Sequence, residues 1–362
     1  MEPVLFVTGH VPPERVGAFA ALHEREGVEV ALFGGRALHA LAGERELPFP
    51  HRHVTQRDVR RLAASGDYRA VIGSTGGRVA LPGAYRGARA AGVPFVLWAS
   101  LWAHPRSLAG AAGYLPLRRI YRGADAVVTY GPHVSAYVRA KGARNVHEAP
   151  QAVDNAFWSA PPTADERRAG FQALFVGRPD KQKGLGYLLE AWNAARPKDA
   201  VLVLAGPDMT RYSRVDLVPT GVLAPEALRN FYAAADVLCV PSVPTRTVRE
   251  TWGLAVNEAF NQATPVIATD AVGAAAGGLV RDGENGFVVP AKDPDALAAA
   301  LRRLVPEPRL RERMGAAGRE RVSTYTFEAW AEGFSAALRS VGAGGDEPQL
   351  RARPARLQSD ER

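Results

Sequence analysis

One cysteine, Cys239, stands in 362 residues, which excludes a disulfide within the chain and points to a reducing compartment. It sits in the apolar run Ala235-Asp236-Val237-Leu238-Cys239-Val240, with no basic or histidine neighbour, so a buried, inert thiol is expected. Long apolar runs are also missing. No stretch approaches the ~18 apolar residues that a membrane-crossing helix needs. Met1-Glu2-Pro3-Val4-Leu5 enters an apolar run without the basic segment of a secretion signal. These absences predict a cytoplasmic protein, with at most a peripheral contact on the inner face of a membrane. No Asp-x-Asp lies in a suitable loop and no His/Cys cluster has metal-ligand spacing, so neither a metal nor a bound cofactor is expected. No nucleic-acid partner is expected either.

Negative charge is scarce in one half only. Residues 1–150 carry 19 Lys and Arg against 11 Asp and Glu, whereas the remainder carries 26 against 26. The whole net charge of +8 therefore falls in the first half. An anionic partner for that half, acidic lipid or a phosphorylated acceptor, is one reading. General arginine enrichment in an Ala- and Gly-rich sequence is the other.

What is present is a repeating alternation of short apolar runs and helical stretches. Val4–Val7, Val28–Phe33, Ala70–Gly73, Pro94–Leu97, Ala126–Thr129 and Val146–Ala149 read as strands. Most are unbroken, the pattern of parallel strands buried on both faces. Helices are expected at Arg15–Glu26 and Leu81–Ala91 between them. Pro161-Pro162-Thr163-Ala164-Asp165-Glu166-Arg167-Arg168 reads as a linker. The pattern then restarts, with strands at Ala173–Val176, Ala200–Leu204, Val237–Val240, Pro265–Ala268 and Gly286–Val289. The fold class is α/β, with two doubly wound domains at 1–160 and 166–325 facing a central cleft. A last helix at 326–341 is expected, able to pack back on the first domain, and a disordered tail at 342–362.

Two loops of the second half carry candidate chemistry. In Phe175-Val176-Gly177-Arg178-Pro179-Asp180-Lys181-Gln182-Lys183-Gly184 a strand ends, a glycine loop follows and a helix begins. Such a turn brings backbone amides to an anion, with Arg178 and Lys183 able to reach two phosphates. Two solvated basic residues are the competing reading. In Glu250-Thr251-Trp252-Gly253-Leu254-Ala255-Val256-Asn257-Glu258 the carboxylates suit the paired hydroxyls of a sugar, and Gly253 leaves room for a ligand near the backbone. Ordinary surface charge accounts for the same spacing.

The order of these elements decides between the readings. Gly-Arg-x4-Lys-Gly, Tyr232-Ala233-Ala234-Ala235-Asp236, Glu250-x7-Glu258, Pro265-Val266-Ile267-Ala268-Thr269-Asp270 and Asp282-Gly283-Glu284-Asn285-Gly286 follow one another across residues 171–330. Together they resemble the C-terminal domain of family 4 retaining glycosyltransferases, the group 1 glycosyl transferases of GT-B fold. The resemblance implies two Rossmann-like domains and a nucleoside-diphosphate-sugar donor. It implies that Arg178 and Lys183 bind the donor diphosphate, that Glu250 contacts sugar hydroxyls and that Glu258 contacts the ribose. Gly177, Gly253 and Leu254 fall at donor-binding positions, and the base is expected near Thr220–Leu223. Ala274-Ala275-Ala276-Gly277-Gly278-Leu279 lacks the acidic residue that many members carry there.

The first half resembles the family more loosely. His104, after Phe95-Val96-Leu97-Trp98-Ala99-Ser100-Leu101-Trp102-Ala103, matches a histidine placed near the donor anomeric carbon. Gly9 stands where members keep paired glycines, but Pro12-Pro13-Glu14-Arg15 replaces the flexible part. His10 and Arg15 are alternatively acceptor-site residues. Tyr114-Leu115-Pro116-Leu117-Arg118-Arg119-Ile120-Tyr121-Arg122 suits either an anionic membrane surface or an amphipathic core helix. Trp98 and Trp102 suit either a sugar-stacking cleft mouth or the core.

The function expected is metal-independent, retaining transfer of a hexose-type sugar to an acceptor hydroxyl on a glycan, a lipid-linked acceptor or a small molecule. Two rivals are another GT-B protein, such as a nucleotide-sugar epimerase, and a non-catalytic nucleotide-sugar-binding protein.

Overall fold

The computed structural model describes residues 2–34, 47–168 and 170–345. The apolar runs form two all-parallel sheets with helices on both faces, which is why the strands lack alternation. The first sheet contains β1 (Val4–Thr8), β2 (Val28–Leu32), β3 (His51–His53), β4 (Ala70–Ser74), β5 (Phe95–Ala99), β6 (Ala126–Thr129) and β7 (Val146–Glu148). Its order is β3-β2-β1-β4-β5-β6-β7. The second contains β8 (Phe171–Val176), β9 (Ala200–Ala205), β10 (Leu217–Gly221), β11 (Val237–Val240), β12 (Val266–Thr269) and β13 (Gly286–Val289). Its order, β10-β9-β8-β11-β12-β13, repeats that of the first. Both sheets begin in the middle and reverse direction beside their first strand, and ligands of such sheets bind beyond the strand ends at that reversal.

Two edge strands escape the sequence pattern. All three residues of β3 are exposed, and β10 carries Pro219 at a register shift. Neither has the apolar run of a central strand, and an edge is where a proline is tolerated.

The helices of the first half are α1 (Val16–Glu26), α2 (Val59–Ala63), α3 (Ala80–Ala91), α4 (Leu108–Gly123), α5 (Pro132–Ala140) and α6 (Asn155–Ser159). Those of the second are α7 (Leu185–Ala195), α8 (Pro225–Ala234), α9 (Ala255–Asn261), α10 (Gly273–Ala276), α11 (Pro294–Leu304) and α12 (Pro308–Val322). The last helix, α13 (Phe327–Ser340), returns to the first sheet. Its Trp330 ring lies 5.3 Å from Phe19 and 5.8 Å from Trp98, and Phe334 lies 5.5 Å from Phe6. Trp98 is thus a core residue and not a platform at the cleft mouth.

The expectation of a disordered tail from residue 342 is corrected over its first four residues. Arg69 Nε donates to the Ala343 carbonyl at 3.0 Å, and the Gly345 amide donates to the Glu26 carboxylate at 2.7 Å. Glu26 is buried and held by Arg69 at 2.8 Å, so a buried ion pair distant in sequence supplies the partners that this polar stretch lacks locally. Residues 346–362 lie outside the described residues.

In α4, Ile120 and Tyr121 are buried while Leu108 and Leu115 are exposed, so the helix is core at one end and surface at the other. The described residues contain no helix long and apolar enough to cross a membrane.

The crossing between domains is tied to α9. Asn257 Nδ2 donates to the Gln151 carbonyl at 2.8 Å, and Asn261 Nδ2 donates to Asn155 Oδ1 at 2.8 Å. The helix that carries Glu258 therefore rests on the first domain's exit segment.

Candidate active site

Where the strand ends of the two sheets face each other, a cavity of about 230 Å³ opens between the domains. Val176 at the end of β8, Val240 at the end of β11, Lys183 and the segment Glu250–Ala255 form one wall, and Arg15 from the first domain stands opposite. Lys183 Nζ donates to Glu250 Oε2 at 2.8 Å, and Ser242 Oγ donates to the same oxygen at 3.2 Å. Both side chains of the ion pair are mostly buried.

Local sequence explains this placement. Asp180 caps a single turn of 3-10 helix by accepting from the Lys183 amide at 3.0 Å, and so fixes the lysine at the loop's end. Gly184 follows with φ +70°, and a Cβ there would stand 1.9 Å from the Pro241 carbonyl oxygen. Only glycine lets this turn press against the end of β11. Gly253, in the wall after Glu250, takes φ +95°, a left-handed backbone conformation that favours glycine.

The other residues singled out in the second half are arranged around this pair. Arg178 is largely exposed and rests on Asp180 at 3.3 Å, outside the cavity wall. Gly177 ends β8 with its amide bonded to Ala205, while Gly253 and Leu254 line the cavity. Leu223 follows β10 and is partly buried against the core. Cys239 lines the cavity floor, and burial pushes its thiol up to about 12, leaving it an inert wall atom.

Glu258 projects from α9 and accepts from the Tyr232 hydroxyl at 2.6 Å. The residue is half-buried and lies behind the wall of the Lys183–Glu250 cavity, not among the residues that line it. Burial pushes its pKa from 4.5 up to about 7; Tyr232 acts in the opposite direction, and Glu14 of the first domain adds to the rise. Near neutrality this carboxyl is poised between its neutral and charged forms.

The first domain contributes Arg15 and Trp102, both singled out in the sequence, and His133, which no local motif identified. The Arg15 guanidinium lies 5.2 Å from the Trp98 ring centre and 5.3 Å from that of Tyr130, whose hydroxyl accepts from it at 3.3 Å. The structure thus sets Arg15 on the cavity that holds Lys183 and Glu250. Trp102 Nε1 donates to the Glu250 carbonyl at 3.1 Å, and His133 Nε2 donates to the Thr251 carbonyl at 3.3 Å. Burial lowers the His133 pKa to about 4, against the opposing effect of the bond to Thr251, so the ring stays neutral. Only its position just after Gly131-Pro132, at a helix start, hinted that His133 faces the cleft.

His104 differs from its expected position. Its Nε2 lies 2.7 Å from the Gly110 carbonyl and its ring lies 4.9 Å from that of Tyr114, which together hold it toward α4. It lines a neighbouring cavity of about 580 Å³ and not the one containing Glu250. Gly9 ends β1, where its carbonyl accepts from the Gly34 amide at 2.7 Å; it is outside the cavity wall.

Two Rossmann-like domains of matching strand order around a cleft define a GT-B architecture. Residues 170–307 match the sequence model of the family described as Glycosyl transferases group 1. The likeness to that family lies in these residues, and curated relatives resemble the chain as well. A D-inositol 3-phosphate glycosyltransferase of Thermobifida fusca is 35% identical over 192 residues, covering 46% of this chain and 42% of that protein. A phosphatidyl-myo-inositol mannosyltransferase of Mycobacterium leprae is 33% identical over 202 residues, covering 53% of this chain and 52% of that protein. The matches thus span about half the length of these relatives or less. Among solved structures, HepE of Anabaena in complex with UDP superposes with a TM-score of 0.74 at 18% identity, covering 93% of this chain and 100% of that one. At that identity the likeness establishes the fold.

Proposed function

We propose that this protein transfers a sugar from a nucleoside-diphosphate sugar to an acceptor hydroxyl, with retention of configuration and without a metal. The observation that carries this reading is the Lys183–Glu250 pair at 2.8 Å, set in an interdomain cavity at the strand reversal of the second sheet. A lysine beside a carboxylate offers one group for a diphosphate and one for sugar hydroxyls in the same pocket. HepE, of the same architecture, is described in complexes with UDP and with UDP-glucose, which makes uridine-linked donors the first to test.

Lys183 holds the diphosphate, and Arg178 turns from Asp180 to close on it. Arg15 supplies a third cation from across the cleft, where Pro12-Pro13 leaves no flexible glycine loop. Glu250 grips sugar hydroxyls and Glu258 the ribose diol. The acceptor oxygen forms its bond to the anomeric carbon on the face from which the diphosphate departs. The bond between that carbon and the diphosphate oxygen breaks, and the acceptor proton passes to the departing diphosphate. The cations stabilise the negative charge that develops there. Domain closure excludes water and so limits hydrolysis of the donor.

The test is transfer of radiolabelled sugar from a panel of nucleotide sugars, with EDTA present and absent, comparing wild type, Glu250→Ala and Arg178→Ala. The expected result is transfer that survives EDTA and falls at least a hundredfold in Glu250→Ala. Binding of a nucleoside diphosphate with no transfer or hydrolysis of any sugar would favour a non-catalytic binding protein. No nucleotide binding at all would refute the assigned site.

A further inference from the structure

Beside the donor cavity lies the larger one of about 580 Å³, and its walls come from both domains. His104 and Arg106 project from the first domain, and Arg246, Thr247, Arg249 and Lys292 from the second. Four permanent cations converge there and no carboxylate lines the space. Among the described residues Arg106, Arg246 and Lys292 form no ion pair, and Arg249 lies 4.6 Å from the Trp102 ring centre. The carboxylates beside Arg249 and Lys292 in the chain, and Asp270 bonded to the residue before Lys292, have partners of their own. Glu250 is paired with Lys183, Asp270 accepts from the Ala291 amide, and Asp293 caps α11 through the Ala296 amide.

The cations are carried on held backbone. The Arg106 amide donates to the Arg246 carbonyl at 2.7 Å across the domain boundary, and Thr245 Oγ1 accepts from the Val248 amide at 3.0 Å. Lys292 sits at φ +66°, a left-handed conformation that a lysine adopts at a cost. Unpaired like charges on ordered loops repel one another unless an anion joins them, and planar guanidinium groups fit phosphate oxygens in pairs.

The geometry points to an anion-binding subsite that takes the phosphate of a phosphorylated acceptor, beside the donor sugar. The acceptor role rests on the transferase reading above; the anion site itself does not. Arg249 is the chain neighbour of Glu250, about 3.8 Å away at Cα. Trp102 contacts both of these neighbours, donating to the Glu250 carbonyl on its edge and carrying Arg249 on its face. A molecule anchored here by phosphate presents its adjacent hydroxyls toward the sugar site. Three of the four cations belong to the half of the chain with no net charge, so a charge count by halves points away from them.

The experiment uses full-length protein saturated with UDP, so that the donor phosphate groups are occupied. Calorimetric titration with glucose 6-phosphate and with glucose compares wild type, Arg106→Ala and the double variant Arg246→Glu/Lys292→Glu. The expected result is binding of the phosphate only, weakened at least tenfold by the double variant and several-fold by Arg106→Ala, with UDP affinity within twofold of wild type. Sedimentation with vesicles of phosphatidic acid or phosphatidylcholine separates the sources. Pelleting with phosphatidic acid alone, lost in the double variant, identifies a lipid phosphate; binding of glucose 6-phosphate without pelleting identifies a soluble one. The inference is overturned if neither probe binds the UDP-saturated protein, or if both bind wild type and double variant alike. Failure of UDP itself to bind would instead refute the donor site, and glucose 6-phosphate would still report on this one.

Discussion

Glu258→Gln separates what the folded chain gains from what the donor gains. In the folded protein this carboxyl titrates near 7 because burial penalises its charge, against an ordinary value of 4.5. Between those two pH values the unfolded chain has released the proton and the folded chain still holds it. Stability must therefore fall as pH rises from about 4.5 to about 7, and then level off. The difference amounts to at most about 3 kcal/mol above neutrality. Glutamine keeps an oxygen to accept from Tyr232 and has no charge to bury. Wild type and variant should melt alike near pH 4.5, and the variant should be more stable at pH 8. Each kcal/mol corresponds to about 2–4 °C for a domain of this size.

Donor binding should change in the opposite direction. A charged carboxylate is the better acceptor for two ribose hydroxyls, and its loss costs about 1.5–3 kcal/mol. At pH 6 only about a tenth of Glu258 is ionised in the free protein, so wild type should bind about tenfold more weakly than at pH 8. UDP-glucose is the appropriate probe, since its diphosphate has no proton to lose in that range. Calorimetry from pH 6 to 8 should show a slope for wild type and a flat, weaker response for Glu258→Gln. An unchanged slope in the variant would refute the ribose role. Equal melting temperatures at pH 8 would refute the buried charge.

Removing the lysine from the central pair, Lys183→Ala, should lower kcat/KM for the donor by about a hundred- to a thousandfold, the scale of losing one preorganised charge-stabilising group; steady-state transfer kinetics measure it. Gly184→Ala forces a Cβ to within 1.9 Å of the Pro241 oxygen at φ +70°. It should cost more than about 1 kcal/mol and weaken nucleotide binding together with stability, as urea unfolding and UDP titration would show. Trp330→Ala, in the last helix, should cost about 3–5 kcal/mol, with the loss appearing in the first domain; hydrogen exchange of β1 and α1 amides would locate it.

How much of this was legible in the sequence follows the range of the interactions. The central strands are legible because a strand buried on both faces is apolar along its run, as Val4–Val7 and Val237–Val240 are. The loops of the candidate site are legible because they begin where such runs stop, which puts Gly177 and Lys183 after β8 and Glu250 in the loop after β11. The edge strands β3 and β10 carry no such signature. Residues acting across the domain boundary were harder still. Trp102 and His133 bond to the carbonyls of Glu250 and Thr251, and any side chain can be replaced in sequence without disturbing a carbonyl's signature. His104 stood in a suitable motif, but hydrogen bonding to Gly110 turns it toward α4, a choice made by a loop that no pattern describes.

These cross-domain bonds tie the segment Glu250–Thr251 to both domains. Glu250 is bonded through its carboxylate to Lys183 of the second domain and through its carbonyl to Trp102 of the first. Thr251 is held by His133, and the helix behind both is bonded by Asn257 to the exit segment of the first domain. A hinge opening that separated the domains would break the carbonyl bonds first, because they are the ones that cross the cleft. Buried carbonyls without partners are costly, so the closed arrangement is favoured wherever water cannot replace those bonds. Placement of Glu250 is thereby coupled to closure: under the proposed function, its carboxylate takes its working position only when the first domain is in contact.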